Sequence, residues 1–182
     1  VGGYDLDLDT HVMVMLAVAH ADMSACWTMM IGNTVTGVMA SCLSDTGLGE
    51  VFVGADMPIA AGSLKPDGRA APVAGGYRVS GKWEFGSGIH HAGWISAHCI
   101  CAPDAEDPFP LTLAIPVSEV HIHDDWHVAG LCGSGSSTYE VRDVFVPHSR
   151  AFERTPRRGS PRPCSKGPPF RLLGPGPPQA SD

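Results

Sequence analysis

Apolar positions along the chain change period twice. Between residues 11 and 43 there is no proline, and Val14, Met15, Val18 and Ala19 recur at helical spacing. Ser24 is a candidate N-cap for a second helix running through Cys26, Trp27, Met30 and Ile31. The many methionines of this stretch suit a face that packs against other helices. From Val51 to Pro147 the period shortens to two, in short runs rich in Val, Ile, Tyr, Phe and Trp that Gly, Pro and Asp interrupt. Tyr77, Val79, Gly81, Trp83 and Phe85 fall on one face of a strand, and Arg78, Ser80, Lys82 and Glu84 on the other. Gly75-Gly76 ahead of this run signals a hairpin. Further strands are predicted at 94–101, 111–116, 119–123 and 138–146. Many short strands at close spacing predict a barrel or a sandwich. The period disappears from Glu153 on, where 30 residues hold eight of the 16 prolines and six of the 12 Lys/Arg. This tail, 151–182, reads as irregular or disordered, or as the product of a shifted reading frame.

Composition narrows the function classes. Hydrophobic residues make up 43% and charged residues 17%, enough to bury a core. A formal net charge of -7, with no Lys/Arg cluster before residue 150, argues against a nucleic-acid partner. The six cysteines form no CxxC pair and read as free thiols of a reducing compartment. The acidic start VGGYDLDLD lacks a signal-peptide pattern, and the apolar run Val12–Ala19 is too short to cross a bilayer. These features predict a soluble, cytoplasmic protein without a membrane partner.

Candidate chemistry gathers in three places. Phe85-Gly86-Ser87-Gly88 reads as a tight turn closing a hairpin, followed by the pair His90-His91. Gly133-Ser134-Gly135-Ser136 reads as a second small-residue turn, of a kind that can form a backbone nest for an anion. His121 and His123 share one strand face with Asp124, Asp125 and His127 close by, which admits a metal-binding barrel. No further ligand set is placed convincingly, so no metal is assigned.

The segments GGYRVSGKWEFGSGIHHAGW (75–94) and DWHVAGLCGSGSSTYEVRDVFVP (125–147) resemble the central β-domain of the acyl-CoA dehydrogenase superfamily. They are most similar to its flavin-dependent monooxygenase branch, the oxygenase components that hydroxylate phenols with reduced flavin from a partner reductase. ADMSACWTMMIG (21–32) resembles the helical domain just upstream in that family. The resemblance covers about residues 10–150. It implies an α+β chain: the end of an all-α domain (1–50), an antiparallel middle β-barrel (51–150), and no C-terminal helical bundle. It also implies FAD or FMN as cofactor, an aromatic or cyclic small-molecule substrate, a flavin reductase as partner, and a homo-oligomer at full length.

In site terms, the resemblance places Trp83, Phe85, Gly86, Ser87 and Gly88 beside the flavin ring, small residues letting backbone N–H groups come close. It makes Gly133 and Ser134 candidates for the flavin phosphate, and His90 and His91 candidates for a base toward a phenol or a donor to the flavin. The chain departs from the pattern at Cys132, where the family has Arg, at Gly86, where a hydroxyl residue is common, and after Trp27, where a histidine is absent. Two other readings stay open: an FAD-dependent acyl-CoA dehydrogenase on the same fold, and a truncated fragment without catalysis.

Overall fold

The computed structural model describes residues 7–53 and 58–153. The tail expected to be irregular lies, from residue 154 on, outside the described residues. Three helices precede the sheet: α1 (Leu8–Ala21), α2 (Met23–Cys42) and α3 (Asp45–Val51). Asp22 ends α1 and caps α2, its carboxylate accepting Ala25 N–H at 2.7 Å. The cap is therefore two residues earlier than Ser24, and Asp serves because its side chain reaches the open N–H groups of the first turn. Met15, Val18 and Ala19 of α1 are half-buried, while Val12, Met13, Val14 and Leu16 are exposed. Among the described residues, no helix is long and apolar enough to cross a membrane.

Eight strands form one mixed sheet: β1 (Ala60–Gly62), β2 (Gly68–Val73), β3 (Gly76–Trp83), β4 (Trp94–Cys101), β5 (Phe109–Pro116), β6 (His121–Ile122), β7 (Tyr139–Pro147) and β8 (Ala151–Phe152). The order is β6-β7-β3-β2-β4-β5-β8, with β1 also paired to β4. The expected α+β class holds, but the expected antiparallel barrel does not. The sheet is open, and β1 and β2 both run parallel to β4, one beyond the other along the same edge. The segment between them does not reverse the chain, so both strands meet β4 in the same sense. The sheet curls until β5 and β7 touch, yet no ladder joins them, and the edges β6 and β8 are only two residues long. Closure would require those edges to pair.

Alternation puts Val79 and Trp83 of β3, Ile95, Ala97, Cys99 and Cys101 of β4, Leu111, Leu113 and Ile115 of β5, and Tyr139, Val141 and Val146 of β7 into one core. Burial desolvates the Cys99 thiol and pushes its pKa up to about 12, so it is an inert core group. The opposite face of the sheet, at Ala60 and Ala114, packs on Met39, Leu43 and Val51 of the helices and on Phe152. Thr36 Oγ1 accepts Ala60 N–H at 2.9 Å and ties α2 to β1. This contact holds the helices over the sheet end from which the 85–91 turn departs.

Candidate functional site

The strand that carries the first motif ends at Trp83, and two residues later the backbone turns left-handed at Phe85, φ 64°. Trp83 and Phe85 therefore do not share a face. Trp83 has no exposed surface, stacks on Tyr139 at 5.2 Å, and donates its indole N–H to His98 O at 2.8 Å. Phe85 is 54% exposed, meets Trp126 edge-on at 6.1 Å, and lies 5.6 Å below the Lys65 ammonium. A non-glycine residue in this region costs about 1–2 kcal/mol and needs surrounding contacts to hold it. Two backbone bonds do so: Ser87 N–H to Phe85 O at 2.9 Å, and Gly86 N–H to Ser137 O at 3.0 Å.

The two small-residue turns, remote in sequence, lie against each other. Gly88 N–H donates to Ser134 O at 2.9 Å, alongside the Gly86–Ser137 bond. Within this frame Ser87 Oγ lies 2.8 Å from Ser136 Oγ, which lies 2.7 Å from Ser134 Oγ. Trp27, from α2, donates its indole N–H to Ser87 Oγ at 2.9 Å. His90 Nε2 is 3.1 Å from Ser137 Oγ. The structure thus brings Gly86, Ser87, Gly88, Ser134 and His90 together. It leaves Trp83 in the core, and leaves the exposed His91 and Gly133 outside this hydrogen-bonded group. An added Cβ at Gly133 would stand 3.1 Å from Ser24 Cβ, so its smallness lets the start of α2 approach.

Ser136 stood in the second turn without an assigned role, and Trp27 and Ser137 were not singled out as members of the group. The signal available for the serines is the unbroken polar run Ser136-Ser137-Thr138, every residue of which is buried. Buried hydroxyls require partners, so such a run in a buried turn marks a network. The backbone N–H groups that were expected to reach a ligand are already engaged. Those of residues 86 to 89 all donate within the protein, to Ser137, Phe85, Ser134 and Gly86. The 133–136 turn is similar, with Ser134 N–H going to Leu131 O and Gly135 N–H to Cys132 O. The same turn also carries a side-chain hydroxyl, that of Ser87.

A carboxylate fixes the second turn from behind. Asp125 Oδ1 accepts Thr138 N–H at 2.9 Å, and hydrogen bonds from the Thr138 side chain and backbone hold its pKa below the ordinary value. A depressed folded-state pKa stabilises the fold at pH values above the unfolded pKa, and this contribution disappears as pH falls through the folded value. Asp125→Ala is thus expected to lower Tm at pH 7, with the gap to wild type closing below the ordinary carboxylate range. Melting curves from pH 7 down to pH 3 check this, and a gap that does not change with pH contradicts it.

His121 and His123 meet edge-to-face at 4.6 Å, and His123 Nε2 lies 3.4 Å from Glu140 Oε2. Among the described residues, no three His, Cys, Asp or Glu side chains are grouped so as to hold a metal. A cavity of about 360 Å³ opens elsewhere, between Leu64, Pro66, His98, Pro110 and Thr112, and includes none of the Ser87 group.

No family model matches the chain. The oxygenase component of a FADH(2)-dependent resorcinol hydroxylase from Rhizobium sp. (strain MTP-10005) is 45% identical over 92 residues, 50% of this chain and 22% of that protein. A pigment production hydroxylase from Rhodococcus sp. (strain ATCC 21145) is 30% identical over 151 residues, 82% of this chain and 38% of that protein. The solved structure of XiaF from Streptomyces sp., in complex with FADH2 and glycerol, superposes with a TM-score of 0.77 at 30% identity, over 84% of this chain and 39% of that one. The chain spans less than two fifths of the length of each of these proteins.

Proposed function

This chain is a homologue of the oxygenase components of FADH2-dependent monooxygenases, on the acyl-CoA dehydrogenase-like fold, and on that premise we propose that it serves in the hydroxylation of an aromatic or cyclic substrate. The observation that carries the reading is Ser87, a buried hydroxyl two residues after an exposed aromatic ring. A flavin has flat apolar faces and a polar edge, and an aromatic wall with one or two donors suits it. The residues present fit that demand. Phe85, braced by Trp126, offers a ring face, and Ser87 offers the edge contact. Gly88, at φ 73°, has no side chain, and a Cβ there would stand 2.9 Å from Thr28 Cγ2. Beside it, Thr28 Oγ1 is buried without a hydrogen-bond partner among the described residues.

When bound, reduced flavin supplies the electrons that activate O2. The chain's own residues bind, orient and shield. With a flavin bound, Ser87 Oγ would hold a polar group of it, and Phe85, braced by Trp126, would supply an apolar contact that keeps water away. Of the two candidate bases, His90 is the better placed. Its Nε2 is tied to Ser137 Oγ, and Nδ1, unpartnered among the described residues, can take the proton of a substrate hydroxyl. Both rings are exposed, and among the described residues His91 has no side-chain tether of that kind. The reading includes a flavin reductase as the source of reduced FAD or FMN. It also includes a homo-oligomer, which the exposed Val12, Met13 and Leu16 of α1 support as an association surface.

The test is anaerobic titration of the chain with reduced FAD and FMN. Wild type is expected to bind, and Ser87→Ala to bind about tenfold more weakly, the worth of one hydrogen bond. Undiminished affinity in Ser87→Ala would displace the site, and a wild type that binds neither flavin would overturn the reading.

A further inference from the structure

The hydrogen-bond chain that ends on Ser87 starts on a helix 60 residues away. An indole N–H can only donate, so Ser87 Oγ is the acceptor in its bond with Trp27. Each serine hydroxyl carries one proton and can accept two bonds. Ser87, Ser136 and Ser134 therefore have three protons for two mutual bonds, and one proton is left to leave the chain. If the donors run Ser134 to Ser136 to Ser87, Ser87 accepts twice, from Trp27 and from Ser136, and can only donate to a ligand. If they run the other way, Ser87 donates to Ser136 and has one acceptor site left for a ligand.

We infer that Trp27 and Ser136 are positioning residues that act through the Ser87 hydroxyl, letting it face a ligand atom either as donor or as acceptor. The inference rests on the flavin reading above, because an edge nitrogen of a flavin is an acceptor when oxidised and carries a hydrogen when reduced. Trp27 fills one acceptor site of Ser87 in both arrangements. Ser136 takes the Ser87 proton in the arrangement that suits a ligand N–H, and returns one in the other. Without Ser136, Ser87 can still donate to an acceptor. Accepting from a ligand N–H would then leave its own proton buried without a partner, which is costly. Burial of Ser87, Ser136 and Ser134 keeps water from substituting in the chain. Trp27 is 38% exposed, yet its only polar atom points inward to a serine on another element.

The experiment is a set of double-mutant cycles on the 182-residue chain, read by dissociation constants for oxidised and reduced FMN. Trp27→Phe is expected to weaken binding of both forms roughly three- to tenfold. Ser136→Ala is expected to weaken the reduced form by a similar factor and the oxidised form less. Neither change should add to the loss already caused by Ser87→Ala, because both act through that hydroxyl. The indole N–H resonance of Trp27 in the flavin-free chain supplies an independent readout and should move in Ser87→Ala. Should Trp27→Phe fail to fold, Ser136→Ala and the resonance carry the test. Additive losses, equal effects of Ser136→Ala on both forms, or an unmoved resonance would overturn the inference while leaving the flavin reading in place. A wild type that binds no flavin would remove both.

Discussion

Trp83→Ala is expected to lower the stability of the chain by about 3–5 kcal/mol, the cost of emptying a large aromatic site in a packed core. Trp83 has no exposed surface, stacks on Tyr139 with 16° between the ring planes, and joins β3 to β4 through His98 O. Its ring also fills the space beside two glycines: a Cβ at Gly68 would come within 2.3 Å of it, and one at Gly81 within 2.7 Å. Loss of the indole leaves a void between β2, β3 and β4 and removes the donor from a carbonyl inside the sheet. Against a typical total stability of about 5–15 kcal/mol, this brings the fold close to its limit. Urea unfolding followed by far-UV circular dichroism measures the effect. Phe85→Ala is the control, because that ring is half exposed and should leave the midpoint nearly unchanged while weakening flavin binding. A Trp83→Ala protein with a native midpoint and reduced flavin affinity would show that Trp83 belongs to the site and not to the core.

The second large effect is expected at Gly86, where the resemblance places a hydroxyl residue. Gly86→Ser should destabilise the chain by about 1–3 kcal/mol and weaken flavin binding at the same time. A Cβ at Gly86 would stand 2.9 Å from Tyr139 Cδ1, 3.0 Å from Ser137 O and 3.1 Å from Ile89 Cδ1. Tyr139 is wholly buried and its hydroxyl accepts Ser63 N–H at 2.9 Å, so the ring cannot withdraw without breaking that bond. The remaining response is for the turn to lift away from Ser137. This stretches the Gly86–Ser137 bond and carries Ser87 away from Ser136. Both variants should lower affinity and Tm: Ser87→Ala because it strands the Trp27 indole N–H and the Ser136 hydroxyl, Gly86→Ser because its side chain meets Tyr139 and Ser137. A Gly86→Ser chain with native Tm and tighter flavin binding would show that the turn has room the structure does not show.

Part of this protein could be read from local sequence, because local physics decides it. The period of two foretold β4 at residues 94–101 and most of β5 and β7, and the spacing of Val14, Met15, Val18 and Ala19 foretold α1. Gly75 adopts φ 81° at the β2–β3 reversal, within the Gly-Gly pair that signalled a hairpin. Motif resemblance carried the family and the flavin class, since two ordered segments at fixed separation are specific even where the chain departs at Cys132 and Gly86.

What alternation could not reveal is where a strand stops. Phe85 continues the apolar period of Trp83, and only the left-handed turn, held by carbonyl groups of other loops, takes it off that face. The start of α2 was misplaced for a similar reason, since Asp22 and Ser24 are both capable caps and the choice depends on where α1 ends. Closure of the sheet depends on which edges meet, and no strand pattern encodes that β1 and β2 share one edge of β4. The site shows the same division. Ser87 and His90 stand in a motif that local reading could single out. Their partners Trp27, Ser136 and Ser137 lie 60, 49 and 47 residues away, and chain folding alone brings the Trp27 indole N–H and Ser136 to the Ser87 hydroxyl and Ser137 to His90. Residue type and spacing thus determined which groups were able to do chemistry. Tertiary structure decided which of them share protons, because a hydrogen bond depends on distances of about 3 Å that sequence separation does not constrain.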